Sequence, residues 1–130
     1  MSEAIRLSED ASFYGHDGFD RDEIGKALTD LKDGRGVRGA STLTQQLAKN
    51  LFFDGDRNLC RKIEEAIITA ALEGSVPKAR LFEVYLNIVE WGDGVYGVGA
   101  AAQHYFGKPV SQLLADESAF LAGILPAPRK

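Results

Sequence analysis

Apolar residues recur with helical period over most of the chain. Leu43, Leu47 and Leu51 repeat every four residues, and Leu59, Ile63, Ala66, Ile67 and Ala70 line one face of a second segment. Leu81, Val84, Tyr85 and Ile88 do the same in a third, and Val98, Ala101, Ala102 and Tyr105 in a short fourth. A last helix carries Leu113, Glu117, Phe120, Leu121 and Ile124, with Glu117 interrupting its apolar stripe. An earlier one is predicted over residues 20–32, with Ile24, Leu28 and Leu31 inward. No stretch alternates apolar and polar positions long enough to argue a sheet.

The breaks between these segments are equally legible. Gly34, Gly36 and Gly39, interleaved with Arg35 and Arg38, make a basic, flexible loop. Asp54, Gly55 and Asp56 form a turn, and Asn58 is placed to cap the next helix. Pro77 stands where a helix would start, and residues 91–99, with four glycines, read as a loop. The pattern predicts a compact all-α domain with one mobile loop near residues 33–40.

Composition narrows the class. At 130 residues the chain has the size of one domain, and such a chain buries roughly two-thirds of its unfolded surface. A net charge of −4 argues against a general nucleic-acid binder. Cys60 is the lone cysteine, which excludes an intrachain disulfide and a multi-cysteine zinc site. Runs free of charge, Gly and Pro, such as residues 66–72, fall far short of the ~20 apolar residues a membrane span needs. No signal-peptide apolar region opens the sequence.

Three short motifs suggest chemistry that their context denies. Gly92, Gly94 and Gly97 match a dinucleotide fingerprint, but helical periodicity precedes them where a strand is required. Ser75 and Lys78 imitate the penicillin-binding nucleophile pair without its companion motifs, and Leu43 stands where a nucleophile elbow starting at Gly39 needs glycine. His16 and His104 lack metal-ligand spacing.

Three other segments hold polar residues that helix formation does not require. Glu9 and Asp10 follow the apolar Ile5 and Leu7 and precede Phe13, His16 and Gly18. A carboxylate beside apolar residues is a candidate general acid or base, because desolvation raises its pKa toward working pH. Alone, such a pair more often reads as a solvated helix end. On residues 39–50, Gln45, Gln46 and Lys49 lie off the leucine stripe, and with Ser41 they suit sugar hydroxyls, amides and phosphate; the plain alternative is a solvated face. Arg57 precedes a helix start, and Arg61 and Glu65 stand four residues apart, spaced to pair.

Together, in this order and spacing, these segments resemble the family 51 glycosyltransferases, the peptidoglycan glycosyltransferases that polymerise lipid II. Glu9-Asp-x-x-Phe-x-x-His-x-Gly18 resembles the family's first motif, and Gly39-x-Ser-Thr-Leu-Thr-Gln-Gln-Leu-x-Lys-Asn50 its second. Arg61-Lys-x-x-Glu65 resembles the third, Leu81-x-x-x-Tyr-Leu-Asn87 the fourth, and Glu117-x-Ala-x-Leu-Ala-Gly-x-Leu-Pro126 the fifth. The turn at Glu90, Trp91 and Gly92 and the ending at Leu125, Pro126 and Arg129 look most like the monofunctional, proteobacterial-type members.

The resemblance implies a lysozyme-like helical fold with a small, mobile, membrane-facing lobe at roughly residues 20–40. It implies Glu9 as catalytic base and Glu65 as the second carboxylate of one shared cleft, with Lys49 and Arg57 lining it and holding the donor pyrophosphate. Ser41, Gln45, Gln46, Arg61 and Asn87 match further substrate-binding positions. Glu65 would either orient Arg61 or help to hold a metal. No cofactor is required, although a divalent cation, magnesium or manganese, would suit the pyrophosphate. The implied partners are lipid II, the growing glycan strand, a membrane surface and cell-wall synthesis proteins, at the outer face of the bacterial cytoplasmic membrane. The family's transmembrane anchor and the helix before its first motif are not expected in this sequence, nor is its usual C-terminal continuation; residues 1–130 would be a domain truncated at both ends. Two rivals remain: a lysozyme-like lytic enzyme, which has no need of Lys49 and Arg57 as a phosphate pair, and a non-catalytic domain that binds lipid II or a partner.

Overall fold

The computed structural model describes residues 1–34, 41–53 and 59–125. Among them seven α-helices follow one another: α1 (Ser2–Glu9), α2 (Arg21–Lys32), α3 (Leu43–Phe52), α4 (Leu59–Ser75), α5 (Lys78–Ile88), α6 (Val98–Phe106) and α7 (Ala115–Ile124). Single 3₁₀ turns lie at Phe13–Gly15 and Val110–Gln112. The mostly helical architecture expected from the apolar period is therefore present. The glycine-rich segment after α5 is more ordered than the loop expected there: β1 (Glu90–Gly92) and β2 (Val95–Tyr96) pair antiparallel, Glu90 opposite Tyr96 and Gly92 opposite Val95, with a bulge between.

Helix α1 was not expected. Eight residues are too few to display a period, yet Glu3 and Arg6 pair on its surface and suit the two ends of its dipole. It is held by docking against α7: Ile5 is fully buried, and the Ser8 hydroxyl donates to the Ala122 carbonyl at 3.3 Å. Glu9 is its last residue, so the helix delivers the first motif directly.

Trp91 anchors the core. It has no exposed surface; its indole N–H donates to the Leu121 carbonyl at 3.0 Å, and its own carbonyl accepts from the Tyr105 hydroxyl at 2.6 Å. Ile5, Phe13, Leu43, Leu47, Leu81, Phe82 and Tyr85 extend this core toward the N-terminal helices. Helix α3 packs on both α4 and α5. Thr44 donates to the Glu73 carboxylate at 2.6 Å, Lys78 pairs with it at 2.7 Å, and the Lys78 ammonium lies 4.4 Å from the centre of the Phe13 ring. A buried carboxylate so satisfied can sit between helices without an uncompensated charge.

Three apolar stripes differ from the expectation. In α3, Leu43 and Leu47 are buried but Leu51 is exposed. In α2, Leu28 points outward, 62% exposed, and the Ile24 and Leu31 side chains lie outside the described ones. In α4 the buried side holds Glu65 and Thr69, whereas Ile63 and Ile67 face solvent and Leu59's side chain is outside the described ones. The polar side can be buried because its groups are satisfied: Thr69 donates to the Glu65 carbonyl at 2.7 Å, and Glu65 pairs with Lys62 at 2.9 Å. Glu117, the polar break in the last helix, turns back at the start of α7, accepting the Leu114 N–H at 2.8 Å and Lys108 at 2.7 Å. These partners hold its carboxyl below the usual range.

Gly97 joins the ribbon to α6 and gives a direct test of this packing. Its φ of +85° lies in the region that favours glycine, and a Cβ there would meet the Asn87 carbonyl oxygen at 2.6 Å. Gly97→Ala is expected to destabilise the domain by ~1–3 kcal/mol, read as a lower urea midpoint in a denaturation curve followed by Trp91 fluorescence.

Candidate functional site

The site is assembled by the residue beside the candidate base. Asp10 follows the last turn of α1 and is buried. Its two carboxylate oxygens lie 3.0 and 2.9 Å from His16 Nε2, and Oδ2 also accepts the Leu43 N–H at 3.1 Å. His16 Nδ1 accepts the Gly18 N–H at 3.1 Å, which leaves the ring proton on Nε2, aimed at Asp10. The Thr42 hydroxyl donates to the Gly18 carbonyl at 2.6 Å. The first two motifs are thus stitched together where α3 begins.

Thr42 and Gln45 close the same junction as a capping box. The Thr42 hydroxyl accepts the Gln45 N–H at 3.2 Å, and Gln45 Oε1 accepts the Thr42 N–H at 2.9 Å. Gln45 is therefore buried and engaged at the helix start, whereas Gln46 reaches Glu9.

Glu9 is half-buried, with its two oxygens in different environments. Gln46 Nε2 donates to Oε2 at 3.3 Å, and the same nitrogen lies 3.5 Å from the Ser41 carbonyl. The Tyr85 hydroxyl, buried on α5, donates to Gln46 Oε1 at 3.1 Å. Glu9 Oε1 is buried and has no hydrogen-bond partner among the described residues. Burial raises the Glu9 pKa above the ordinary carboxylate value, and the Gln46 and Ser8 side chains oppose that rise in part. Burial, and then the nearby Glu9 charge, push the Tyr85 phenol up, so it stays protonated and able to donate. A carboxylate with an elevated pKa on the wall of a cleft is suited to accepting a proton from a hydroxyl.

An open cleft lies before this carboxylate, lined by Ser8, Glu9, Ser41 and Thr42 and, across it, by Asp20, Asp22 and Lys26 of the α2 region. The structure brings Glu9, Ser41 and Gln46 together. The other described candidates do not line this cleft. Glu65 is buried on α4 beside Lys62 and does not line the described cleft. Lys49 is exposed on the last turn of α3. Arg61 is half-buried, its guanidinium 5.1 Å from the centre of the Phe53 ring. Asn87 is exposed on α5 and donates back to the Glu83 carbonyl at 2.7 Å. Arg57 lies outside the described residues, as do Arg35, Arg38, Asn58 and the turn at residues 54–56.

One trio of metal-type side chains occurs among the described residues: Asp10, His16 and Asp20, with ligand atoms within 4.8 Å of one another. The Asp10 carboxylate is already engaged by His16 and the Leu43 N–H, and Asp20 accepts from Ser12. The trio braces the loop after α1 through bonds internal to the protein.

Sequence reasoning missed Tyr85, Lys26 and the bracing role of Asp10. Tyr85 was counted on an apolar stripe. Two signals bear on it: its place in the fourth motif, and the need of a tyrosine on a buried face for a hydroxyl partner.

Comparison with known proteins gives this geometry its family. The family model described as Transglycosylase matches residues 1–130. The chain is 52% identical over 130 residues to a biosynthetic peptidoglycan transglycosylase of Herminiimonas arsenicoxydans, covering 99% of this chain and 56% of that protein. The protein of the same name from Janthinobacterium sp. (strain Marseille) is also 52% identical with the same coverage. That from Dechloromonas aromatica (strain RCB) is 51% identical, again over 99% of this chain and 56% of the relative. The chain therefore spans about half the length of the curated relatives it matches.

The raised Glu9 pKa has a consequence for stability. The folded protein holds the Glu9 proton more tightly than the unfolded chain does. The stability this supplies is full below the unfolded carboxyl value of 4.5 and is lost as pH rises through the raised folded value. Glu9→Gln removes the ionising group, so its melting temperature should exceed the parent's at neutral pH. The gap should narrow on acidification; thermal melts across pH check both.

Proposed function

The chain belongs to the transglycosylase family, and on that premise we propose that it is a peptidoglycan glycosyltransferase domain that polymerises lipid II. Glu9 carries the proposal: a half-buried carboxylate of raised pKa on the wall of an open cleft, with Oε2 held by Gln46 and Oε1 buried without a hydrogen-bond partner among the described residues. In the proposed reaction the acceptor's 4-hydroxyl oxygen attacks the donor's anomeric carbon from the face opposite the leaving group. The new C–O bond forms as the bond to the pyrophosphate oxygen breaks, which inverts that carbon. Glu9 takes the hydroxyl proton and later returns it to solvent, and polyprenyl pyrophosphate departs with the bonding pair. Such a leaving group needs no general acid. Positive charge at the developing phosphate oxygens lowers the barrier, a role we assign to Lys49 and Arg57.

Ser41, on the cleft wall, is assigned to the sugar hydroxyls, and Gln46 to holding Glu9. Gln45 acts from within the capping box by fixing Ser41 and Gln46 at the helix start. Arg61, Glu65 and Asn87 are proposed to serve more extended parts of the lipid-linked substrate or strand. A magnesium or manganese ion would add positive charge through the pyrophosphate's own oxygens. The Asp10, His16 and Asp20 trio is instead assigned a bracing role, its groups being hydrogen-bonded within the chain to Ser12, the Leu43 N–H and one another.

A polyprenyl-tailed donor places the reaction at a membrane surface of the cell envelope, on the outer face of the cytoplasmic membrane, where cell-wall synthesis proteins would be its partners. The outward Leu28 of α2, in the segment proposed as the membrane-facing lobe, supports this assignment. Ile63 and Ile67 of α4 add further exposed apolar surface. Among the described residues no helix is long and apolar enough to cross a membrane.

Incubation with lipid II should yield glycan polymer. Cleavage of preformed strands would mark a lytic enzyme, and binding without turnover a recognition domain. Folded Glu9→Gln should lose transfer by ~10²–10⁴-fold; near-parental polymerisation would remove Glu9 from the role. Lys49→Ala should weaken a pyrophosphate-bearing donor by ~10-fold or more while sparing plain glycan strands. Calorimetry with both ligands checks the difference, and equal losses would contradict the assignment.

A further inference from the structure

We infer that Tyr85 is a positioning residue for the Glu9 carboxylate, acting at one remove through the Gln46 side-chain amide. This rests on the proposal that Glu9 is the base, and extends it to a residue on a separate helix that does not line the described cleft.

The geometry leaves the Gln46 amide one favourable orientation. Its nitrogen faces two acceptors, Glu9 Oε2 at 3.3 Å and the Ser41 carbonyl at 3.5 Å. Its oxygen faces one donor, the Tyr85 hydroxyl at 3.1 Å. Turning the amide over would set its oxygen against both acceptors and its N–H groups against the phenol. Tyr85 is 1% exposed, and its ring belongs to the core shared by α3, α5 and the segment after α1. The phenol is thus a fixed donor. It holds the amide oxygen, and the amide nitrogen in turn holds Oε2, which fixes the orientation of the carboxylate at the cleft wall.

Other charged and titratable groups around Glu9 are already committed or lie across the cleft. Asp10, next in sequence, is turned to His16 and the Leu43 N–H. The Ser8 hydroxyl, 3.3 Å from the Ala122 carbonyl of α7, also lies beside Glu9 and favours its ionised form. Asp20, Asp22 and Lys26 line the opposite wall. From the helices packed behind the site, Gln46 and Tyr85 are the described groups that reach the carboxylate by hydrogen bonds, directly and at one remove.

Loss of the phenol should free the amide to reorient and weaken the bond that favours the ionised carboxylate. Tyr85→Phe keeps the ring and therefore the packing. Its Glu9 titration, followed by ¹³C NMR of labelled glutamate with Glu9→Gln as the assignment control, should move up by ~0.5–1 pH unit. The acid limb of polymerisation should move with it, so that at pH below the limb the rate falls ~3–10-fold. Gln46→Leu should shift Glu9 at least as far. Adding Tyr85→Phe to that variant should give no further shift, because the intermediary is gone.

An unchanged Glu9 titration in Tyr85→Phe, or a Tyr85→Phe shift that persists undiminished in the Gln46→Leu background, would overturn the inference. A merely structural Tyr85 would lower the melting temperature and leave the Glu9 titration where it was. The two proposals fail separately: if Tyr85→Phe moves the titration while the polymerisation profile stays fixed, the relay stands and Glu9 is not the base.

Discussion

The Asp10 carboxylate fixes three parts of the chain at one point. It receives His16 from the turn after α1, accepts the first N–H of α3, and sits at the C-terminal end of α1. A buried carboxylate gains most from such partners, because leaving it unpaired in a low-dielectric interior would be severely unfavourable. Once Asp10 is committed inward, its neighbour Glu9 is left at the mouth of the cleft, and Gln46 is brought within reach on the first turns of α3. The two adjacent carboxylates thus hold opposite positions: one is satisfied by the fold and the other kept partly unsatisfied.

That partial satisfaction is the chemically useful feature. A base that is fully solvated or fully hydrogen-bonded has its charge already stabilised and takes up a proton less readily. Glu9 is desolvated enough to raise its pKa, held at one oxygen by Gln46, and unengaged at the other. The surrounding scaffold is correspondingly well satisfied: Thr42 and Gln45 cap α3, Glu73 binds both Thr44 and Lys78, and Trp91 is hydrogen-bonded at its indole and its carbonyl. Local instability at one carboxyl is tolerable because its neighbours are rigidly held.

Burial on the second-motif helix shows how adjacent, chemically identical residues divide. Gln45 and Gln46 were equivalent candidates in the sequence, both off the leucine stripe. In the fold Gln45 points back to the helix start and closes the capping box, whereas Gln46 bridges Tyr85 and Glu9. A rotation of one residue about the helix axis, roughly 100°, separates a structural glutamine from one at the site.

The sequence by itself determined the helical character of the domain, because a period near four over Leu43 and Leu47, or Leu81 and Tyr85, is a local property of the chain. It also marked the site's first two motifs, and the family resemblance those motifs carry, not local spacing, singled out Glu9 from its neighbour Asp10. Tertiary structure alone decided which faces were buried. Helix α4 has apolar residues on one side, yet it turns Glu65 and Thr69 inward and leaves Ile63 and Ile67 in solvent, since hydrogen bonds and ion pairs made those polar groups compatible with burial. It also decided that Asp10 braces while Glu9 stays at the cleft, and that Tyr85, thirty-nine residues from Gln46, completes the chain of hydrogen bonds to Glu9. Period follows from neighbours a few residues apart. Partners for a buried oxygen come from whichever helix packing places beside it.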